Sequence, residues 1–198
     1  MNDTGQPRTR EHILRAALHL FAERGYPQTS MDEIAKEVGV TKPAIYHYFD
    51  SKEKLFQALV ELAKVEQRRR IEEARAKNLP LPELLEYLIG AALAMIRDEP
   101  DWVQMMFRVN SYAHELGKLL DLAAVQREIH AEEVALFADA IADARLRPGL
   151  TIGDFVDFYH GVVYSLMSRC FLMGDFLDSE RLAARVRDMI LYGALARE

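Results

Sequence analysis

Apolar side chains in the first part of the chain recur every three or four residues, at Ile13, Leu14, Ala17, Leu18 and Phe21, and the pattern stops at Gly25. That period predicts an amphipathic helix. Ser30-Met31-Asp32-Glu33 reads as a capping box, with the Ser hydroxyl facing the Glu33 amide and the Glu carboxylate reaching back, so a second helix starts there. Gly39 can adopt the left-handed conformation that ends it. Thr41 then caps a third helix, with Pro43 in its first turn where a missing N–H costs nothing, and this helix ends near Phe49-Asp50. From Ser51 a charged register runs without a breaker from Lys52 to about Lys77, which predicts a long fourth helix projecting from the first domain.

Beyond Asn78 the punctuation is Pro80, Pro82, Pro100 and Pro148-Gly149. Between these breaks the chain reads as helices over Pro82 to Asp98, Asp101 to about Leu116, Lys118 to Arg145, Thr151 to Gly174 and Asp178 to Arg197. Asp101 and Thr151 are expected to cap two of those starts. No segment alternates strictly between turn signals, and no internal repeat has a fixed period. The expected fold is all-α: an N-terminal three-helix domain over residues 1–51 and a helical domain over 52–198.

Composition narrows the classes. With 198 residues, half of them apolar and 28% charged, the chain can bury a real core. The net charge of −6 argues against a protein that is basic all over, so any basic site is local. In residues 1–54 eight basic and eight acidic side chains cancel, and the remainder carries the deficit. The N-terminal segment is therefore the one least repelled by phosphate. A lone cysteine, Cys170, excludes an intrachain disulfide framework and Cys-rich zinc modules and suits a reducing compartment. The start of the chain lacks an unbroken apolar run of the signal-peptide kind, and Leu84 to Ile96, the longest weakly interrupted apolar stretch, is too short for a bilayer. A soluble, cytoplasmic protein without a membrane partner is expected.

The second and third helices, joined by Gly39-Val40-Thr41, have the short Gly-containing corner of a helix-turn-helix. Small Ala35 lets them approach, and Ile34, Val38, Val40 and Ile45 fill the space against the first helix. The third helix then presents Thr41, Lys42, Pro43, Ala44, Tyr46, His47 and Tyr48 outward. Its small first residues admit it to a major groove, and its N-terminus favours phosphate. Lys42 can reach guanine O6 and N7, and Pro43 or Ala44 can meet a thymine methyl. Tyr46, His47, Tyr48 and Lys52 suit phosphate contacts, with burial in the core as the alternative for the two tyrosines.

The run Thr29-Ser30-Met31-Asp32-Glu33-Ile34-Ala35-Lys36-Glu37-Val38-Gly39-Val40-Thr41-Lys42-Pro43-Ala44-Ile45-Tyr46-His47-Tyr48-Phe49-Asp50-Ser51-Lys52-Glu53-Lys54-Leu55 resembles the DNA-binding signature of TetR-type transcriptional repressors, and the likeness extends over roughly residues 9 to 57. Members often have His where this chain has Tyr48. The resemblance implies a homodimer on a palindromic double-stranded operator, with a divergent helical domain that binds a small-molecule effector and no cofactor. It places DNA contacts at Thr29, Thr41, Lys42, Pro43, Ala44, Tyr46, His47, Tyr48 and Lys52. The two reading heads would sit about 34–36 Å apart or a multiple of it.

In the second domain Trp102, Met105, Met106, Val109 and Tyr112 recur at helical spacing. Two soft thioethers beside an indole suit an adaptable cavity for a largely apolar guest, and equally a plain core. If a pocket exists, Met95, Trp102, Met105, Met106 and Tyr112 supply walls, Tyr87, Asn110 and His114 add polar atoms, and Asn110 or His114 fixes a polar head. Arg108 is either a partner for a ligand carboxylate or an ordinary surface arginine. Arg68-Arg69-Arg70, with acidic neighbours three and four residues away, reads as a solvated face rather than a phosphate patch.

The last two helices carry apolar stripes, through Phe155, Tyr159, Val162, Val163 and Leu166 and through Leu182, Val186, Met189 and Ile190. Family likeness assigns them to a four-helix dimer interface, with Gly161 and Gly193 permitting close approach. An enzyme has little support. His114-Glu115 lacks the second His of a zinc-hydrolase helix, there is no nucleophile elbow or Gly-rich phosphate loop, and Cys170 has no adjacent base. No metal is expected. The rival reading is a DNA-binding regulator without a small-molecule ligand, constitutive or controlled by a protein.

Overall fold

The computed structural model describes residues 6–111, 117, 120–141, 146–173 and 179–194. Among them the helices are α1 (Gln6–Arg24), α2 (Met31–Val38), α3 (Lys42–Tyr48), α4 (Lys52–Ala76), α5 (Leu81–Asp98), α6 (Pro100–Ser111), α7 (Leu122–Ile141), α8 (Ile152–Met173) and α9 (Ser179–Ala194), with no strand among the described residues. The all-α expectation therefore holds.

Most boundaries follow local chemistry. The capping box forms as expected, since Ser30 Oγ accepts from the Glu33 amide while the Glu33 carboxylate accepts from the Ser30 amide. Gly39, at φ 77°, closes α2 in the left-handed region. At the start of α8 Thr151 and Asp154 exchange the same pair of bonds. The expected cap at Asp101 does not form: α6 already begins at Pro100, and the Asp101 carboxylate instead lies 3.1 Å from Nδ1 of His19 on α1.

Contacts divide the described chain into two units. One comprises α1, α2, α3, α4 as far as Val65, and α6; the other holds α4 from Glu66, α5, α7 from Ala124, α8 and α9. The division differs from the boundary expected at residue 51. The first turns of α4 bring Leu55, Phe56 and Leu59 into the core, where the Phe56 ring packs against Phe21 and Tyr26 at 6.1 and 5.0 Å between centroids.

In the first unit α1 packs on α2 and α6, and α2 on α3. Ile13, Ala17, Phe21, Ile34, Ala35 and Ile45 are buried there, which bears out the expected filling of the helix-turn-helix, with Val38 and Val40 half-buried at its edge. In the second unit α5 packs against α8 and α9. Its core includes Leu85, Ile89, Phe137, Phe155, Val186 and Ile190, and the Phe137 ring touches Phe155 and Tyr159 at 5.3 and 5.2 Å. No described helix is long and apolar enough to cross a membrane.

Candidate nucleic-acid interface

The third helix is anchored by two residues. Ile45 is fully buried and Phe49, just past its end, is 5% exposed, so the helix cannot rotate without losing both. Anchoring on one face fixes the other face outward. Thr41, Lys42, Pro43, Tyr46 and His47 are exposed, and Ala44 and Tyr48 are half-buried. The Thr41 side chain makes no cap bond, and Pro43 occupies the first turn. Tyr46 is 41% exposed despite its bulk, while Tyr48 leans back so that its ring meets His47 edge-on at 5.4 Å. The expected cluster Thr41, Lys42, Pro43, Ala44, Tyr46 and His47 is thus brought together on one surface, with Tyr48 at its margin.

Lys42 does not stand alone on that surface. Its ammonium lies 2.9 Å from the Asp32 carboxylate of α2, across the corner of the motif, and this hydrogen bond holds Lys42 above the ordinary lysine range. Sequence pattern gave no sign of the pair, because the two residues belong to different helices ten positions apart.

Two expected contacts require correction. Thr29 is 2% exposed, and its hydroxyl donates to the carbonyls of Leu20 and Gly25, so that side chain holds the end of α1 rather than DNA. Lys52, expected as a phosphate donor, turns inward: its ammonium donates to the carbonyls of Tyr26 and Thr29, each at 2.9 Å, and sits 4.4 Å from the centre of the Tyr26 ring. Burial pulls this lysine below the ordinary value, against the opposing charges of Glu53 and Glu33. Lys52 thereby ties the loop after α1 to the start of α4, while Thr29 ties that loop back to α1.

The arginine triplet forms no free basic patch. Arg69 pairs with Glu66 and Glu73 on its own helix, as the solvated-face reading expected. Its neighbours reach further, Arg68 to Glu128 and Glu132 of α7 and Arg70 to Glu99 and the Met95 thioether. With Gln67 on Glu133 and Arg75 near Asp139, one face of α4 is tied to α7 by polar links.

The expected pocket residues fall in different units, Trp102, Met105 and Met106 in the first and Tyr87 and Met95 in the second. Met105 is buried, on the helix that packs against α1, and Trp102 and Met106 are half-buried on the same helix. Arg108, expected either as a partner for a ligand carboxylate or as a surface arginine, donates to the carbonyls of Ala22 and Glu23, closing the C-terminal end of α1. Met95 is taken up by Arg70, and the Tyr87 ring by Lys77 at 4.9 Å. Tyr112, His114 and the Asn110 side chain lie outside the described residues. An open groove runs along α5 past Glu83, Glu86, Tyr87, Gly90, Ala91 and Ala94.

The expected dimer stripe is likewise corrected. Phe155, Tyr159, Val163, Leu166, Val186 and Ile190 are 0–7% exposed and form this subunit's own core, so they have no area left to bury against a second copy. Val162 and Leu182 are half-buried, and Met189 alone of that set is well exposed, at 66%. The outward large apolar residues include Phe158, Tyr164, Leu172 and Met173 on α8 and Met189 and Tyr192 on α9. Gly161 lies on the outward side, with nothing within reach of an added Cβ. Among the described residues no cluster of three or more His, Cys, Asp or Glu could hold a metal, and Cys170 is buried.

Comparison with known proteins shows the family. The family model described as "Bacterial regulatory proteins, tetR family" matches residues 13–59. The HTH-type transcriptional repressor BepR of Brucella suis biovar 1 (strain 1330) is 31% identical over 187 residues, covering 94% of this chain and 87% of that relative. Among solved structures, a TetR family transcription regulator from Marinobacter aquaeolei VT8 superposes with a TM-score of 0.79 at 18% identity, covering 99% of this chain and 100% of that one. The transcriptional regulator FadR from Bacillus subtilis, in complex with stearoyl-CoA, gives 0.73 at 20% identity, covering 92% and 98%.

Proposed function

Because the chain belongs to the tetR family of bacterial regulatory proteins, we propose that it is a transcriptional repressor that binds a palindromic operator as a homodimer and is released by a small, largely apolar effector. The observation that carries the reading is the outward face of α3, where Lys42, Pro43, Tyr46 and His47 stand clear while Ile45 and Phe49 pin the helix. Lys42 and the small residues after it read base edges, and Thr41, Tyr46 and His47 contact phosphate and fix the register. Two such heads give one recognition helix per half-site.

The dimer contact is the outward side of α8 and α9, at Phe158, Leu172, Met173, Met189 and Tyr192. Apolar side chains left exposed on two helices that both pack on α5 are what a second copy would cover. The likeness to BepR, over 87% of that relative, supports repression, and the stearoyl-CoA complex of a protein with the same fold supports an effector. The α4 helix runs unbroken from one unit into the other, so a ligand that displaces its second half has a stiff lever on the first. A preference of ~1–3 kcal/mol between the two states changes operator affinity by roughly 5–150-fold.

Selection of bound duplexes from a random-sequence pool tests the reading. A palindromic consensus bound by two subunits is expected, and equal affinity for all sequences would overturn it. A second reading is a DNA-binding regulator without a small-molecule ligand. Thermal unfolding against fatty acids, acyl thioesters and apolar drugs separates the two, because a true effector raises stability by mass action.

A further inference from the structure

Asp32 occupies the first turn of α2 but takes no part in its cap, which Ser30 and Glu33 complete between themselves. Its carboxylate reaches the other way, to the Lys42 ammonium at 2.9 Å, and both side chains are exposed, at 61% and 57%. An exposed pair contributes little to stability. What it governs is the direction and availability of the lysine at the head of the reading helix.

A lysine is a compact charge on a flexible stem, equally attracted to any backbone phosphate, and phosphate contacts carry no sequence information. A carboxylate beside it cancels that attraction and itself repels phosphate. A base edge is different. Guanine offers the O6 and N7 acceptors, and an ammonium with three protons can meet them while one proton stays on Asp32.

We propose that Asp32 is a specificity-determining residue, which positions Lys42 for a base edge and withholds it from indiscriminate phosphate contact. The proposal rests on the reading of α3 as the helix in the groove.

The test uses the full chain as wild type, Asp32→Asn, Lys42→Ala and the double variant. Each is titrated with the duplex selected by the wild type and with a random duplex, over a range of salt. The two side chains are exposed and the Ser30–Glu33 cap is untouched, so all four proteins fold. Asp32→Asn is expected to bind random duplex about tenfold more tightly and to steepen its salt dependence by roughly 0.9 per released lysine, lowering the ratio of selected to random affinity. In the Lys42→Ala background the same substitution is expected to leave the ratio unchanged. A ratio untouched by Asp32→Asn, or shifted equally with and without Lys42, overturns the proposal while the reading of α3 stands. If Lys42→Ala binds both duplexes as the wild type does, that reading falls first and takes the proposal with it.

Discussion

The ammonium of Lys52 lies 2.9 Å from the carbonyl oxygen of Thr29, 23 residues earlier in the chain. With the Tyr26 carbonyl at the same distance and the Tyr26 ring beneath, the lysine ties the loop after α1 to the first turn of α4. Lys52→Met would leave two carbonyls without their charged donor. The expected loss is ~1.5–3 kcal/mol in urea unfolding, with the salt slope of operator binding unchanged where the protein remains folded. A slope reduced by about one would return Lys52 to the phosphate contacts.

In the second unit the Glu133 carboxylate is nearly buried, with Gln67 at 3.1 Å and Nε2 of His160 at 2.8 Å. Burial by itself lowers the His160 pKa, but the hydrogen bond and charge of Glu133, with Asp157 adding to them, outweigh it and the net shift is upward from 6.5. A histidine raised on folding contributes its full stabilisation below its unfolded pKa and loses it as pH climbs through the folded one. The melting temperature is therefore expected to fall as pH rises above about 6.5 through the folded value, and His160→Asn should flatten that component. An undiminished dependence in the variant would show that another group is responsible.

Gly39 has φ 77°, and an added Cβ there would meet nothing within 4 Å. Gly39→Ala therefore isolates backbone strain from crowding. A cost of about 1–2 kcal/mol is expected in chemical unfolding, and a neutral result would mean that the corner relaxes out of the left-handed region.

Tyr46 stands clear of the core, so removing its hydroxyl leaves the fold intact. Tyr46→Phe is expected to weaken binding to selected and random duplexes alike, by ~0.5–1.5 kcal/mol, with unchanged melting. A loss confined to the selected duplex would make Tyr46 a base reader instead.

Two substitutions on α9 separate inside from outside. Met189→Glu, on the exposed face, is expected to convert dimer to monomer in sedimentation while the subunit stays folded. Ile190→Ala, at a fully buried position, is expected to cost ~2–5 kcal/mol of subunit stability. A dimer that survives Met189→Glu would place the interface elsewhere.

Helix positions, the capping box, the Gly39 corner and the outward residues of α3 were legible in the amino-acid order, since each depends on side chains a few residues apart. The fates of Thr29, Lys52 and Arg108 were not. Each meets a carbonyl that the fold delivers, and a carbonyl carries no mark in the sequence. The stripes on α8 and α9 show the same division. Their period announces that a face is buried without naming what covers it. Only the packing of α5 against both helices decided that Phe155, Val186 and Ile190 are core and that the neighbouring Phe158 and Met189 are left outside. Local order fixes where a helix starts and which way its side chains fan out, whereas the partner of each face depends on long-range packing that no short window of residues contains.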